Sequence, residues 1–221
     1  SRLYRNPSQY WAAKEITEIA GCLAAIESAT QQGLYVVAAF AYELGHYLQG
    51  MPLRDDRIPP STAIIADNPL IEAWAFPTVN KLSKAEVDQW LFAELAQLPA
   101  DEAKAGVANL SESLSADSFE ADIARIQAWI KSGDTYQINH TFRIMGEIYG
   151  DPLALYARLR DRQPGRFGAF IAGDSNYILS QSPELFIQKQ GSTLKAMPMK
   201  GTANALRDSA EHLSKDSKNQ A

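Results

Sequence analysis

The chain has 221 residues, enough to bury one substantial core or to form most of a larger domain, because single cores stop growing near ~250–300 residues. Lys and Arg number 21 against 26 Asp and Glu, a net charge of -5 with both signs mixed along the sequence, which excludes a basic footprint for nucleic acid or an anionic membrane. A single cysteine, Cys22, excludes an internal disulfide and a cysteine-based zinc site; with no signal-peptide hydrophobic stretch and no membrane-length apolar run, the sequence predicts a soluble cytoplasmic protein.

From Trp11 to Gln32 the residues Ile16, Ile19, Ala20, Leu23 and Ile26 recur at three- and four-residue steps, predicting a helix with Gly33 at its C-cap. Leu34 to Tyr42 is β-branched, aromatic and apolar on both faces, and reads as an interior strand. Gln49 to Pro60 reads as a loop. Two short strands follow, Thr62 to Ala66 and Leu70 to Phe76, joined by the turn Asp67-Asn68-Pro69; in the second, Ile71, Ala73 and Ala75 alternate against Glu72 and Trp74. Ser83 and Glu86 have capping-box spacing and predict a helix from Lys84 that ends by Pro99. Asp101 to Asp117, rich in small and acidic residues, reads as an exposed connection between a first subdomain, 1–100, and a second, 118–221.

Asp117 and Glu120 repeat the capping spacing and predict a helix with Ile123, Ile126, Trp129 and Ile130 on its buried face, closed by Gly133-Asp134. Tyr136 to Ile144 reads as a strand. Pro152 reads as the first residue of a helix whose apolar face is Leu153, Tyr156 and Leu159. Strands then come in quick succession at Phe167 to Ala172, Tyr177 to Ser180, Leu185 to Lys189 and Thr193 to Met197, with turns at 173–176 and 190–192. Helices alternating with hairpins, without a regular βαβ rhythm, predict an α+β fold with large antiparallel sheets. The stretch from Ser209 to Ala221 begins as a helix with no cap and no following element, so the sequence predicts a chain that stops short of its domain.

Chemistry concentrates in two segments of what reads as one antiparallel meander. Ser182-Pro183-Glu184 offers a carboxylate, and Met197-Pro198-Met199-Lys200-Gly201-Thr202 offers an amine. Proline stiffens the approach to Lys200 and Gly201 admits a close neighbour, while a desolvated lysine loses its proton and becomes nucleophilic. Glu184 precedes Leu185 and Phe186, and a carboxyl walled by apolar groups keeps its proton and acts as a general acid. Taken singly, each residue fits a solvated surface group better. Lys200-Gly201-Thr202 is not a phosphate loop, because a Walker loop places its glycines before the lysine. The histidines at 46, 140 and 212 lack the spacing of a helical metal site, and no Gly-x-Ser-x-Gly elbow exists for a hydrolase.

Six stretches taken together carry a resemblance: Tyr42-Glu43, Gly133 to Thr141, the turn Pro164-Gly165-Arg166-Phe167, Ser182 to Phe186, Pro198 to Thr202, and Ser214 to Ala221. In order and spacing the chain resembles the chorismate-utilising enzymes, and within them it is most similar to the branch that aminates chorismate at C4 on the way to para-aminobenzoate and folate. The resemblance implies two stacked antiparallel sheets flanked by helices, and a magnesium ion that orients chorismate. It implies that Glu184 is the general acid expelling the 4-hydroxyl and that Lys200 forms a covalent adduct with the ring. Gly201, Thr202 and Gln137 are implied to line the substrate, Gln137 standing where water-adding members carry a lysine. Ammonia is implied to come from a glutaminase partner. The implied metal ligands are expected beyond Ala221, with none in this chain, so the 221 residues alone are expected to turn over little. Ala203-Asn204-Ala205-Leu206-Arg207 departs from the arginine-rich stretch usual after Gly-Thr. Two alternatives stand beside this reading: the pyruvate-releasing, anthranilate-forming branch, against which Lys200 argues, and a non-catalytic docking or amino-acid-sensing module of the same fold.

Overall fold

A strand buried on both faces must find partners on both edges, and Ile71–Phe76 is such a strand: every residue in it is buried. In this computed structural model, which describes residues 1–50, 68–174 and 176–199, the chain divides into two units, Ser1–Phe92 with Ser113–Arg125, and Ala93–Glu112 with the chain from Ile126. The predicted strand Thr62 to Ala66, most of the predicted loop Gln49 to Pro60, and everything from Lys200 onward lie outside the described residues.

The first unit begins with β1 (Arg2–Leu3), β2 (Gln9–Ala13), α1 (Ile16–Gln31), β3 (Tyr35–Phe40), α2 (Leu44–Leu48), β4 (Ile71–Phe76), β5 (Asn80–Lys81) and α3 (Lys84–Leu95). β4 runs antiparallel between β2 and β3, with Trp74 opposite Tyr10 on one side and Val37 on the other. The interior strand is therefore β4, which the sequence presented as alternating, whereas β3, apolar on both faces, has only β4 beside it among the described residues and leaves Tyr35 and Phe40 exposed. On the face shared by Trp11, Ala13 and Ile71, α1 lays down Ile19, Cys22 and Ile26, joined by Leu44, Tyr47 and Leu70.

The helix predicted from Trp11 begins instead at Ile16, because Trp11 and Ala13 are drawn into the β2 ladder opposite Ala73 and Ile71. Glu18 Oε2 accepts the backbone N–H groups of Lys14 (2.8 Å) and Glu15 (3.0 Å), closing the first turn. At the other end Gly33, at φ +85°, donates to Thr30 and Leu34 donates to Ala29, a Schellman closure that needs the left-handed backbone glycine adopts freely. The capping box forms as predicted at α3: the Ser83 N–H donates to Glu86 Oε2 at 2.7 Å and the Glu86 N–H donates to Ser83 Oγ at 3.3 Å.

Later elements are β6 (Gly106–Glu112), α4 (Ala116–Ser132), β7 (Ile144–Tyr149), α5 (Pro152–Arg162), β8 (Phe167–Ala172), β9 (Tyr177–Ser182), β10 (Leu185–Gln190) and β11 (Thr193–Met197). β6 lies where an exposed connection is predicted; its weak alternation is offset by pairing with β7, opposite which Val107 meets Ile148. Ser115, not Asp117, caps α4, through an N–H bond from Ser118 to Ser115 Oγ at 3.2 Å. None of the residues of α4 is buried, and Trp129 and Ile130, expected on its buried face, are exposed. Gly133 (φ +86°) and Asp134 close α4 as expected, donating to Ile130 and Trp129.

Residues 136–143 carry no regular structure and the strand starts at Ile144, where the predicted one ended; a strand forms only where a neighbour receives its hydrogen bonds, and β6 reaches only that far. Asp151 caps α5 by accepting the N–H groups of Leu153 (2.7 Å) and Ala154 (3.3 Å), with Pro152 in the first turn as predicted. The buried face of α5 is Ala154 and Leu155, packed with Ala105, Leu95, Leu98 and Leu179, while Leu159 is exposed. Tyr156 rests on Phe170, which stacks on Tyr177. The Arg158 guanidinium donates to the Ala105 carbonyl. All pairings among the described strands are antiparallel, in keeping with an α+β fold, but β8–β9 and β10–β11 are two separate hairpins and not one continuous meander.

Ile71 is fully buried, so Ile71→Ala should lower the unfolding free energy by about 2–5 kcal/mol in urea titrations followed by circular dichroism. Glu18 lies below the ordinary carboxylate value of 4.5 because of its backbone hydrogen bonds from Glu15 and Lys14, and Glu86 lies below it through the Ser83 hydroxyl and then the Ser83 N–H. A depressed folded value means that this stabilisation is present above 4.5 and is lost as pH falls through the lower folded values. Helical ellipticity should therefore decline through that acid range, and less steeply in a Glu18→Gln, Glu86→Gln double variant.

Candidate functional site

β9 ends at Ser182 and β10 begins at Leu185, so Pro183 and Glu184 form the corner between two hairpins. Proline fixes one backbone angle there, and the Ser182 side chain fixes the rest: its Oγ donates to the Glu184 carbonyl at 3.1 Å and accepts the Glu184 N–H at 3.4 Å. One hydroxyl thus holds both backbone polar groups of Glu184. The carboxylate itself is exposed, Leu185 is half-buried, and Phe186 is 85% exposed, so within the described residues no apolar wall encloses Glu184.

The β10–β11 register brings the two sequence segments together. Leu185 pairs with Met197, and the next positions outward on the two strands are Glu184 and Pro198. The carboxylate segment and the segment leading to the lysine are therefore adjacent across one hairpin. Lys200, Gly201 and Thr202 lie outside the described residues. Gln137 is exposed in the irregular stretch after α4, its side-chain amide donating to Asn139 Oδ1 at 3.2 Å while its backbone carbonyl accepts the Thr135 hydroxyl at 3.1 Å. In the Tyr42-Glu43 stretch, Tyr42 sets its ring edge-on to His46 at 6.2 Å.

Three further groups bear on chemistry. Burial, and then the neighbouring Glu18, push the Cys22 thiol up, which disfavours the thiolate and makes it a packing residue instead of a nucleophile. Burial likewise pushes the Tyr156 hydroxyl up, opposed by Arg160. Glu72, on β4, is buried and accepts the Tyr10 hydroxyl at 3.0 Å. The sequence shows Glu72 only as alternating against Ile71, Ala73 and Ala75; Trp74 and Phe76, two and four residues on with the same side-chain direction, are the signal that its face is covered. Ser182 was recognised as part of a motif but not for its hydroxyl, although a Ser two residues before a turn's polar backbone is the pattern of a serine turn. Among the described residues no three His, Cys, Asp or Glu side chains come together as metal ligands.

The sequence profile described as chorismate binding enzyme matches residues 4–221, and the chain belongs to that family. It is similar to aminodeoxychorismate synthase component 1 of Salmonella typhimurium, 30% identical over 177 residues that make up 76% of this chain and 38% of the relative. It is also similar to anthranilate synthase component 1 of Streptomyces coelicolor, 32% identical over 120 residues, 53% of this chain and 23% of that one. The crystal structure of anthranilate synthase component I from Streptococcus pneumoniae superposes with a TM-score of 0.62 at 15% identity, covering 88% of this chain and 52% of that chain, which shows the fold. The chain thus spans well under half the length of these curated relatives. No helix among the described residues is long and apolar enough to cross a membrane.

Ser182→Ala removes the hydroxyl that holds the Glu184 backbone. The Glu184 amide should then exchange with solvent roughly three- to tenfold faster by NMR, the worth of a hydrogen bond of about 0.5–1.5 kcal/mol, whereas Ser182→Thr should retain most of the protection.

Proposed function

We propose that this chain carries the acid and nucleophile segments of an enzyme that converts chorismate to 4-amino-4-deoxychorismate. The observation that carries the reading is the β10–β11 hairpin, which sets Glu184 next to the segment that runs from Met197 through Pro198 to Lys200, within a chain of the chorismate binding family. The similarity to aminodeoxychorismate synthase component 1 supports amination as the outcome.

The chemistry suits these residue types. Glu184 protonates the 4-hydroxyl as it leaves as water, while the neutral Lys200 amine adds to the conjugated ring and forms a carbon–nitrogen bond. Ammonia then attacks C4, the lysine–carbon bond breaks, and the lysine takes back its electron pair. Two displacements replace one difficult step and give retention at C4. Gly201 and Thr202 lie against the ring, and Gln137, which cannot deprotonate water as a lysine can, keeps water from competing. Ammonia comes from a glutaminase subunit or domain, since Cys22 is buried and its thiol pushed up. Magnesium, when bound, orients the substrate carboxylate; its ligands belong to residues outside those described, and no step here runs through it. The enzyme works in the cytoplasm and feeds para-aminobenzoate and folate synthesis.

A second reading, an anthranilate-forming enzyme that releases pyruvate, is favoured by the similarity to the Streptomyces coelicolor protein. Mass spectrometry and a pyruvate assay on a polypeptide of the relatives' full length carrying this sequence, with chorismate, magnesium and ammonia, separate the two. Aminodeoxychorismate without pyruvate is expected. Lys200→Ala should cut its formation by at least about a hundredfold and abolish a lysine adduct trapped on the protein, and Glu184→Gln should cut it similarly, in line with general acid contributions of roughly 10²–10⁴-fold. Equal product from wild type and Lys200→Ala removes the nucleophile assignment, and pyruvate as the main product favours the second reading.

A further inference from the structure

The side of the β8–β9 hairpin that faces α5 ends in a group of hydrogen-bond donors. Phe170 stands opposite Leu179 and Gly168 opposite Gln181, so these four positions share a side, and Arg166, two before Gly168, continues it past the start of β8. Tyr156 of α5 rests on Phe170, and Leu179 packs with Ala154 and Leu155 of the same helix. At Gly168 polar atoms stand where a side chain would be. A Cβ there would lie 3.4 Å from Gln181 Oε1, 3.5 Å from the Tyr156 hydroxyl and 3.3 Å from the Ser180 carbonyl oxygen. Gly168 itself is exposed, so this end of the hairpin is open to solutes.

Gln181 Nε2 is buried and has no hydrogen-bond partner among the described residues. A buried amide that donates to nothing has lost its water without a replacement, and such a group calls for an acceptor. The Tyr156 hydroxyl beside it stays protonated, because burial pushes it up, and Arg160, one turn along α5, adds positive charge. Arg166 is exposed and makes no ion pair among the described residues. An amide, a phenol and a guanidinium thus line one end of the hairpin, and all three donate.

We infer that this end of the hairpin binds the carboxylate of a small organic acid, one oxygen accepting from Gln181 and Tyr156 over Gly168 and the other held by Arg166. Over Gly168 there is room for a single oxygen, given how close the surrounding polar atoms stand. A planar carboxylate sends one oxygen in and leaves the second at the rim, where a guanidinium fork meets it. A tetrahedral phosphate brings more oxygens and more charge than one amide and one rim arginine satisfy. The seated acid joins α5 to β9 at the residue before Ser182, whose hydroxyl holds the Glu184 backbone, so it acts on that corner from outside it. The site does not rest on the proposed chorismate chemistry.

The test follows the Gln181 side-chain amide of the 221-residue chain by NMR, its resonances assigned by their loss in Gln181→Met. Sodium acetate, replacing sodium chloride at constant ionic strength, should move them along a saturable one-site curve; inorganic phosphate over the same range should not. Arg166→Gln, at an exposed residue, should leave circular dichroism unchanged and weaken acetate binding at least about tenfold, the worth of a charge-assisted pair. Tyr156→Phe should weaken it roughly three- to tenfold, for one hydrogen bond. Lys189→Gln, at a cation on β10, should bind as wild type. No saturable shift would show that solvent satisfies the amide and would overturn the inference. So would an equal response to phosphate, or acetate binding indifferent to Arg166→Gln.

Discussion

The ladder on either side of β4 is the constraint on which the N-terminal unit depends. β2 and β3 can each satisfy one edge of a sheet, but only the strand between them is buried on both faces, and the position of α1 follows from the face that Trp11, Ala13 and Ile71 present. Remove the pairing and the two helices of that core, α1 and the short α2, lose the surface they cover. The unit holding β6 to β11 is built differently. Its core is small, gathered where α5 lays Ala154 and Leu155 beside Ala105 and Leu179, and its hairpins reach out from it with most of their side chains in water.

That difference explains what the amino-acid sequence made legible. Local devices could be read directly: the Ser83 and Glu86 box, Pro152 at a helix start, the glycines at 33 and 133, and the β8, β9, β10 and β11 hairpins all depend on residues close together in the chain. What depended on distant partners could not. Trp11 fits a helix face as well as a strand, and the β4 ladder decides in favour of the strand. β6 has too little apolar alternation to announce itself, and the partner that makes it a strand, β7, lies more than thirty residues on. The apolar face of α4 was recognised from its spacing, but spacing says which side chains share a face and not whether anything covers it.

The site shows the same division. The Ser-Pro-Glu corner and the strand leading to Lys200 were legible as motifs, and the β10–β11 register gives a physical reason for two segments twelve or more residues apart to act together. Ser182 adds a feature the motif does not declare, a hydroxyl that holds the peptide groups on both sides of the Glu184 Cα. At this exposed corner the two bonds hold the backbone from which the Glu184 carboxyl projects.

The hydrogen bond from Tyr10 to Glu72 has a consequence for how the N-terminal sheet finds its alignment. Tyr10 stands opposite Trp74, so it reaches diagonally to a carboxylate two positions along the neighbouring strand. Slide β2 by one residue and its tyrosine turns to the helix-covered face while Trp11 swings to the other, leaving Glu72 buried without this donor. The buried faces already disfavour such a slide, and the bond from one phenol to one buried carboxylate adds a polar contact made in a single alignment, which acts as proofreading for the ladder.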